Sequence, residues 1–83
     1  MLTRTLDVTG TLCPIPVLLA RRAMRALGPG DHLEVVGDDP AMMVDMPVWA
    51  EKDGHRLLEL AKEPGGQVRC LAEKGGAAPG AVS

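Results

Sequence analysis

Cys13-Pro14-Ile15-Pro16 is the most informative stretch of this sequence, because it lies where a strand should be followed by a helix. Proline lacks a backbone N–H, but its fixed φ suits the first helical turn, where N–H groups have no intrahelical partner. The stretch therefore predicts a helix opening at Pro14 and Pro16, with Cys13 at or beside its N-cap. A helix N-terminus favours a thiolate and can lower the pKa of a cysteine from about 8.5 to roughly 3.5–7.5. The alternative is a plain helix start beside a small apolar residue.

Periodic segments around this stretch predict the other elements. Strands are expected over 2–8, 32–36, 56–62 and 67–73, and helices over 14–27 and 41–53. Asp39 should be the N-cap of the second helix and Pro40 its first residue, whereas Pro47 should kink or break it near Asp45-Met46. Leu58 and Leu60 should share one side of the third strand. The order β-α-β-α-β-β predicts an α/β (α+β) two-layer sandwich, in which both helices cover one face of a four-stranded mixed sheet.

Two further sets of residues are expected in the core because they recur at the helical period. They are Val17, Ala20, Met24 and Leu27 in the first helix, and Met42, Met46, Trp49 and Ala50 in the second.

Length and composition exclude several classes of function. The chain has 83 residues, which fits one domain over 1–74 followed by a flexible Gly/Ala/Pro-rich tail over 75–83. A chain this small has no room for a deep substrate cavity. One Trp, no Phe or Tyr and a net charge of −2 argue against nucleic-acid binding. We also find no apolar run long enough for a membrane span and no signal peptide, so a cytoplasmic location is expected.

The two cysteines do not form a metal or Cys-x-x-Cys pattern. Cys13 and Cys70 are far apart in sequence, and His32 and His55 are the only histidines that could join them. We therefore predict no metal and no cofactor. Cys70 is predicted to be a half-buried strand residue, with a resolving cysteine for Cys13 as the alternative.

Two blocks of sequence are similar to the TusA/SirA-type sulfur-carrier (sulfurtransferase) family. They are the segment from Leu6 to Pro16, with Cys-Pro-x-Pro after a Gly-containing loop, and Gly37-Asp38-Asp39-Pro40-Ala41 followed by Asp45-Met46-Pro47. The resemblance covers about Thr5 to Lys74. It implies a relay protein that accepts sulfane sulfur as a persulfide on Cys13, rather than a turnover enzyme with a small-molecule pocket. It also implies a donor protein, either a cysteine desulfurase or rhodanese-like, and an acceptor protein cysteine.

Other residues are expected to assist Cys13. The residues expected to support the site are Gly10, Pro14, Pro16, Asp38, Asp39 and Asp45. The residues expected to bind a partner are Leu12, Arg21, Arg22, Arg25 and Met43. If Asp45 lies close to the thiol, it would raise the pKa of Cys13 and oppose the helix dipole. Ordinary loop, cap and solvated-helix roles are the alternatives. A monomer is the simplest state for a carrier that presents its sulfur to two partners.

Two other functions stay open at this point. One is a non-catalytic regulatory or interaction module in which Cys13 only begins a helix. The other is a thiol redox protein that uses Cys13 and Cys70, which needs the two Cα atoms within about 7 Å.

Overall fold

The structure is a computed structural model that describes residues 2–75. Its elements are β1 (Thr3–Asp7), α1 (Ile15–Arg25), β2 (His32–Gly37), α2 (Met42–Lys52), β3 (Arg56–Lys62) and β4 (Val68–Glu73). They form a four-stranded sheet in the order β1-β2-β4-β3. The β1–β2 pair is parallel and the other two pairs are antiparallel. The predicted fold class, with a mixed sheet, is confirmed. The predicted tail begins at Gly75 and otherwise lies outside the described residues.

The core lies between the helices and one face of the sheet. All four residues predicted on the inner face of α2 are buried, as are Ala20, Met24 and Leu27 from the first helical segment. Val17 packs against this cluster and is half-buried. Leu33 and Val35 of β2 and the alternate residues of β4 complete the core because successive strand side chains point to opposite faces.

Helix α2 differs from its prediction at both proline positions. It begins at Met42, with Ala41 as its N-cap residue. The predictions that Asp39 is the N-cap and that Pro40 is the first helical residue are therefore wrong. A turn precedes the helix instead, in which the N–H of Met42 donates to the carbonyl of Asp39. The expected break at Pro47 is also wrong, because α2 runs through it without interruption. Burial of Met46 before the proline and of Trp49 and Ala50 after it outweighs the one hydrogen bond that the proline removes.

Strand β3 has the predicted bounds but not the predicted faces. Its pairing with β4 shifts between Leu57 and Glu59, which is the mark of a β-bulge. Leu57 and Leu60 therefore pack against the core, and Leu58 is exposed. The strict alternation that predicted Leu58 beside Leu60 fails at the extra residue.

The face of the sheet away from the helices carries a polar network. The Arg69 guanidinium donates to the carboxylates of Glu34 and Glu59, and these partners hold the pKa of Arg69 above its usual value. Thr5 of β1 extends the network by donating to Glu34.

Neither of the helices in residues 2–75 has the length and apolar character needed to span a membrane.

Candidate functional site

Cys13 lies at the end of the loop between β1 and α1, immediately before the N-cap residue Pro14. Its side chain is exposed, and the Cys13–Pro14 peptide bond is cis. The N–H of Ile15 already donates to the carbonyl of Leu12 at 2.9 Å. Since Pro14 and Pro16 have no N–H, the start of α1 offers fewer free donors than an ordinary helix N-terminus.

Two adjacent aspartates hold this loop from the turn before α2. The Asp39 carboxylate accepts the Cys13 N–H at 2.7 Å through Oδ2 and the Ala41 N–H at 3.0 Å through Oδ1. Asp38 accepts the Gly10 N–H at 3.1 Å. Asp39 is only 9% exposed, so its two hydrogen bonds are partly shielded from water, whereas the bond to Asp38 is exposed. The carboxylate of Asp39 therefore ties the backbone of Cys13 to the start of the second helical segment.

The electrostatic surroundings of the thiol are the reverse of what the helix start predicts. A hydrogen bond with the Asp45 side chain raises the pKa of Cys13 above its ordinary value, and the negative charges of Asp45 and Asp39 raise it further. The predicted lowering of the thiol pKa is therefore wrong, whereas the expected opposing effect of a nearby Asp45 is present. The Asp45 and Asp39 carboxylates therefore oppose the effect of the helix end, which has lost donors to its prolines.

An open groove between α1 and α2 begins at Cys13 and has a volume of about 250 Å³. Its lining comes from the loop, from α1 and from α2, and includes Cys13, Pro14, Val17, Arg21, Asp45, Val48, Trp49 and Lys52. Sequence reasoning missed this feature, because the groove depends on how two helices far apart in sequence lie side by side. It is a shallow surface feature, which agrees with the small size of the domain.

Several apolar side chains are exposed on the loop and the two helices that line the groove beside Cys13. We call this set the apolar collar: Leu12, Ile15 and Leu18 from the loop and the start of α1, and Val44 and Val48 from α2. Leu12 is 70% exposed and Val44 is 67% exposed. Of the collar, only Leu12 was predicted as a partner-binding residue. The sequence could have indicated the other four, because they are apolar residues that do not lie on the predicted inner face of either helix.

The other predicted partner-binding residues differ in their surroundings. Arg22 and Arg25 are exposed in the last turns of α1. Arg21 lines the groove, and its Nε atom lies 3.1 Å from the Asp53 carboxylate. Met43, predicted to bind a partner, is half-buried against the core because it follows Met42 into the packed first turn of α2.

Cys70 is chemically separate from Cys13. It lies in β4 with its side chain in the core, and burial raises the pKa of its thiol to about 12. A thiol of this kind is almost wholly protonated at neutral pH and has no access to solvent. Both cysteines are free. These features argue against a redox pair of Cys13 and Cys70.

Among residues 2–75, no group of three or more His, Cys, Asp or Glu side chains could hold a metal ion. The candidate site consists of one exposed thiol, the carboxylates that hold and surround it, and a groove beside it. Together the fold and this site define a small α/β protein with an open sheet and a single exposed cysteine.

Comparison with known proteins identifies the family. A family model described as "Sulfurtransferase TusA" matches residues 4–74. The chain therefore belongs to the TusA family, which includes sulfur carriers, and this membership supports a role in sulfur relay. "Sulfur carrier protein TusA" from Allochromatium vinosum is 36% identical over 83% of this chain and 90% of its own length.

Two more relatives agree with this assignment. A "Putative sulfur carrier protein" from Aquifex aeolicus is 40% identical over 75% of this chain, which spans about a third (32%) of that relative's length. The crystal structure of a SirA-like protein from Desulfitobacterium hafniense superposes with a TM-score of 0.77 at 29% identity, covering 87% of this chain and 97% of that one.

Proposed function

We propose that this protein accepts sulfane sulfur as a persulfide on Cys13 and transfers it to a cysteine of an acceptor protein. The observation that carries the proposal is the contrast between the two thiols. Cys13 is exposed on a loop fixed by Asp39, and Cys70 is enclosed in the core. Persulfide exchange requires a sulfur that another protein can reach. Membership of a family that includes sulfur carriers agrees with this chemistry.

The exchange needs no external oxidant or reductant. The Cys13 thiolate attacks the outer sulfur of a donor persulfide, a new Sγ–S bond forms, and the donor cysteine leaves as a thiolate. In the second step, an acceptor thiolate attacks the outer sulfur of Cys13–S–SH, and Cys13 leaves as a thiolate. Asp45 lines the same groove as the thiol and is the main cause of its raised pKa, so it is the group placed to accept the thiol proton when the first attack begins.

The donor and the acceptor dock in turn on the surface around Cys13. The apolar collar excludes water from the contact, and Arg22 and Arg25 attract acidic residues of a partner. Leu12 and Met43 are also proposed to contact the partner. The guanidinium of Arg21 is mainly engaged in its ion pair with Asp53. The donor would be a cysteine desulfurase or a rhodanese-like protein. We further propose that the carrier acts in the cytoplasm as a monomer and uses no cofactor.

The test is intact mass spectrometry after incubation with a cysteine desulfurase and cysteine. Wild type and Cys70→Ser should gain one sulfur, about 32 Da, that reduction removes, and Cys13→Ser should not. A rhodanese-type donor is the second arm. If neither donor loads the wild type, or if Cys13→Ser gains the same mass, the proposal fails.

Slow alkylation of Cys13 would not by itself favour a non-catalytic interaction module. The raised thiol pKa predicts slow alkylation at neutral pH in a working carrier as well. Sulfur transfer onward to an acceptor cysteine is therefore the measurement that separates the two functions. An interaction module would bind its partners equally well as Cys13→Ser and would transfer no sulfur.

A further inference from the structure

The groove beside Cys13 combines charges of both signs with an apolar wall. Asp45 supplies a carboxylate, Lys52 supplies an ammonium group, and Val48 supplies apolar surface. Arg21 adds a second cation, although its guanidinium pairs with Asp53. A groove with this lining suits a small zwitterion better than it suits a neutral or purely anionic molecule.

Two further features of the groove indicate a small ligand. Its volume of about 250 Å³ lies just below the usual range of roughly 300–1,000 Å³ for pockets that hold drug-sized molecules, so an amino-acid-sized molecule fits. Trp49 forms part of the wall of the groove and is almost fully buried, so it adds the aromatic, apolar kind of surface that lines small-molecule sites.

We propose that this groove binds an amino-acid-sized persulfide, such as cysteine persulfide, and loads Cys13 directly without a donor protein. The inference rests on the proposed persulfide chemistry of Cys13. Lys52 attracts the carboxylate of the ligand and Asp45 attracts its ammonium group, which leaves the outer sulfur facing the thiol at the mouth of the groove. The small persulfide is thus a second source of sulfur for the same site.

The loading step balances without a further reactant. The Cys13 sulfur attacks the outer sulfur of R–S–SH, the new Sγ–S bond forms, and the S–S bond of the small persulfide breaks. The electron pair of the broken bond stays on R–S⁻. The proton from the Cys13 thiol passes to this thiolate, so the products are Cys13–S–SH and R–SH.

The experiment follows loading by intact mass, with no protein donor present and at one pH. Cysteine persulfide is compared with cysteamine persulfide, which lacks the carboxylate. Each rate is divided by the rate for a free peptide spanning residues 11–16, to remove differences in intrinsic reactivity. Wild type should prefer cysteine persulfide by roughly fivefold, the size of one partly exposed charge pair. Lys52→Met should lose this preference, and Lys62→Met, which removes a charge from β3, should keep it.

The compared loading rates decide whether the groove is a site for a small persulfide. Equal normalised rates for the two persulfides, or a preference that survives in Lys52→Met, would overturn the small-molecule site. In that case, loading by a cysteine desulfurase would still stand as a separate result for the proposed function. If neither the small persulfides nor the protein donors load Cys13, both proposals fall together.

Discussion

At the scale of single residues, the Asp45 carboxylate is the main group that disfavours ionisation of the Cys13 thiol. Its hydrogen bond and its charge raise the pKa of the thiol, so wild-type alkylation should reach half its maximal rate at a higher pH than a free cysteine does. Asp45→Asn removes the charge and should move this profile to lower pH. Glu51→Gln, on the exposed side of the same helix, should leave it in place. The measurement is the rate of iodoacetamide alkylation against pH, and coincident profiles for Asp45→Asn and wild type would contradict it.

Asp39 is the residue on which the position of Cys13 depends. Its buried carboxylate accepts two backbone N–H groups, and Asp39→Ala leaves both without their partner. We expect the free energy of unfolding to fall by about 2 kcal/mol, measured by urea denaturation. Asp38→Ala removes one bond at an exposed site and should cost about 0.5 kcal/mol. Equal losses for the two variants would mean that Asp39 is not the main restraint on the loop.

At the scale of secondary-structure elements, the end of β2 and the start of α2 touch through Gly37. A Cβ atom on Gly37 would lie 2.5 Å from Sδ of Met42 and 2.8 Å from Cγ2 of Val8. Gly37→Ala should therefore lower the free energy of unfolding by about 1–3 kcal/mol through overpacking. Gly65→Ala is the matched control, because a Cβ there meets nothing within 4 Å. Thermal and urea unfolding of both variants test this, and equal stabilities would show that the contact yields easily.

The secondary-structure elements also show which structural features sequence periodicity can predict. The bounds of β3 and the inner face of α2 were predicted correctly, because burial repeats along a single element. The bulge beside Leu58 and the uninterrupted helix at Pro47 were not, since they depend on packing between elements. The same limit applies to the candidate site: the motif located Cys13, but the groove and the effect of Asp45 depend on where α2 lies relative to α1.

At the scale of the whole molecule, His55 joins the end of α2, the sheet and the last described residues. Its ring centroid lies 5.3 Å from that of Trp49, and its Nδ1 atom accepts the Gly75 N–H at 3.1 Å. Partial burial lowers the pKa of His55 below 6.5, and the charge of Lys74 adds to this effect, whereas Asp53 opposes it. Protonation of Nδ1 would also break the bond with Gly75. The folded state therefore favours the neutral imidazole.

The consequence is a loss of stability toward acid. Between the lowered pKa of folded His55 and its unfolded value of about 6.5, the unfolded chain binds more protons. The contribution of His55 to the free energy of unfolding is thus fully present above about pH 6.5. It is lost as the pH falls from that value through the lowered pKa of the folded state. Urea unfolding should give a lower free energy at pH 5 than at pH 7, and His55→Gln should reduce the difference. Trp49, the single tryptophan, reports the same titration by fluorescence, because a protonated imidazole quenches a neighbouring indole. A fluorescence midpoint above 6.5 would reverse the sign and contradict the prediction.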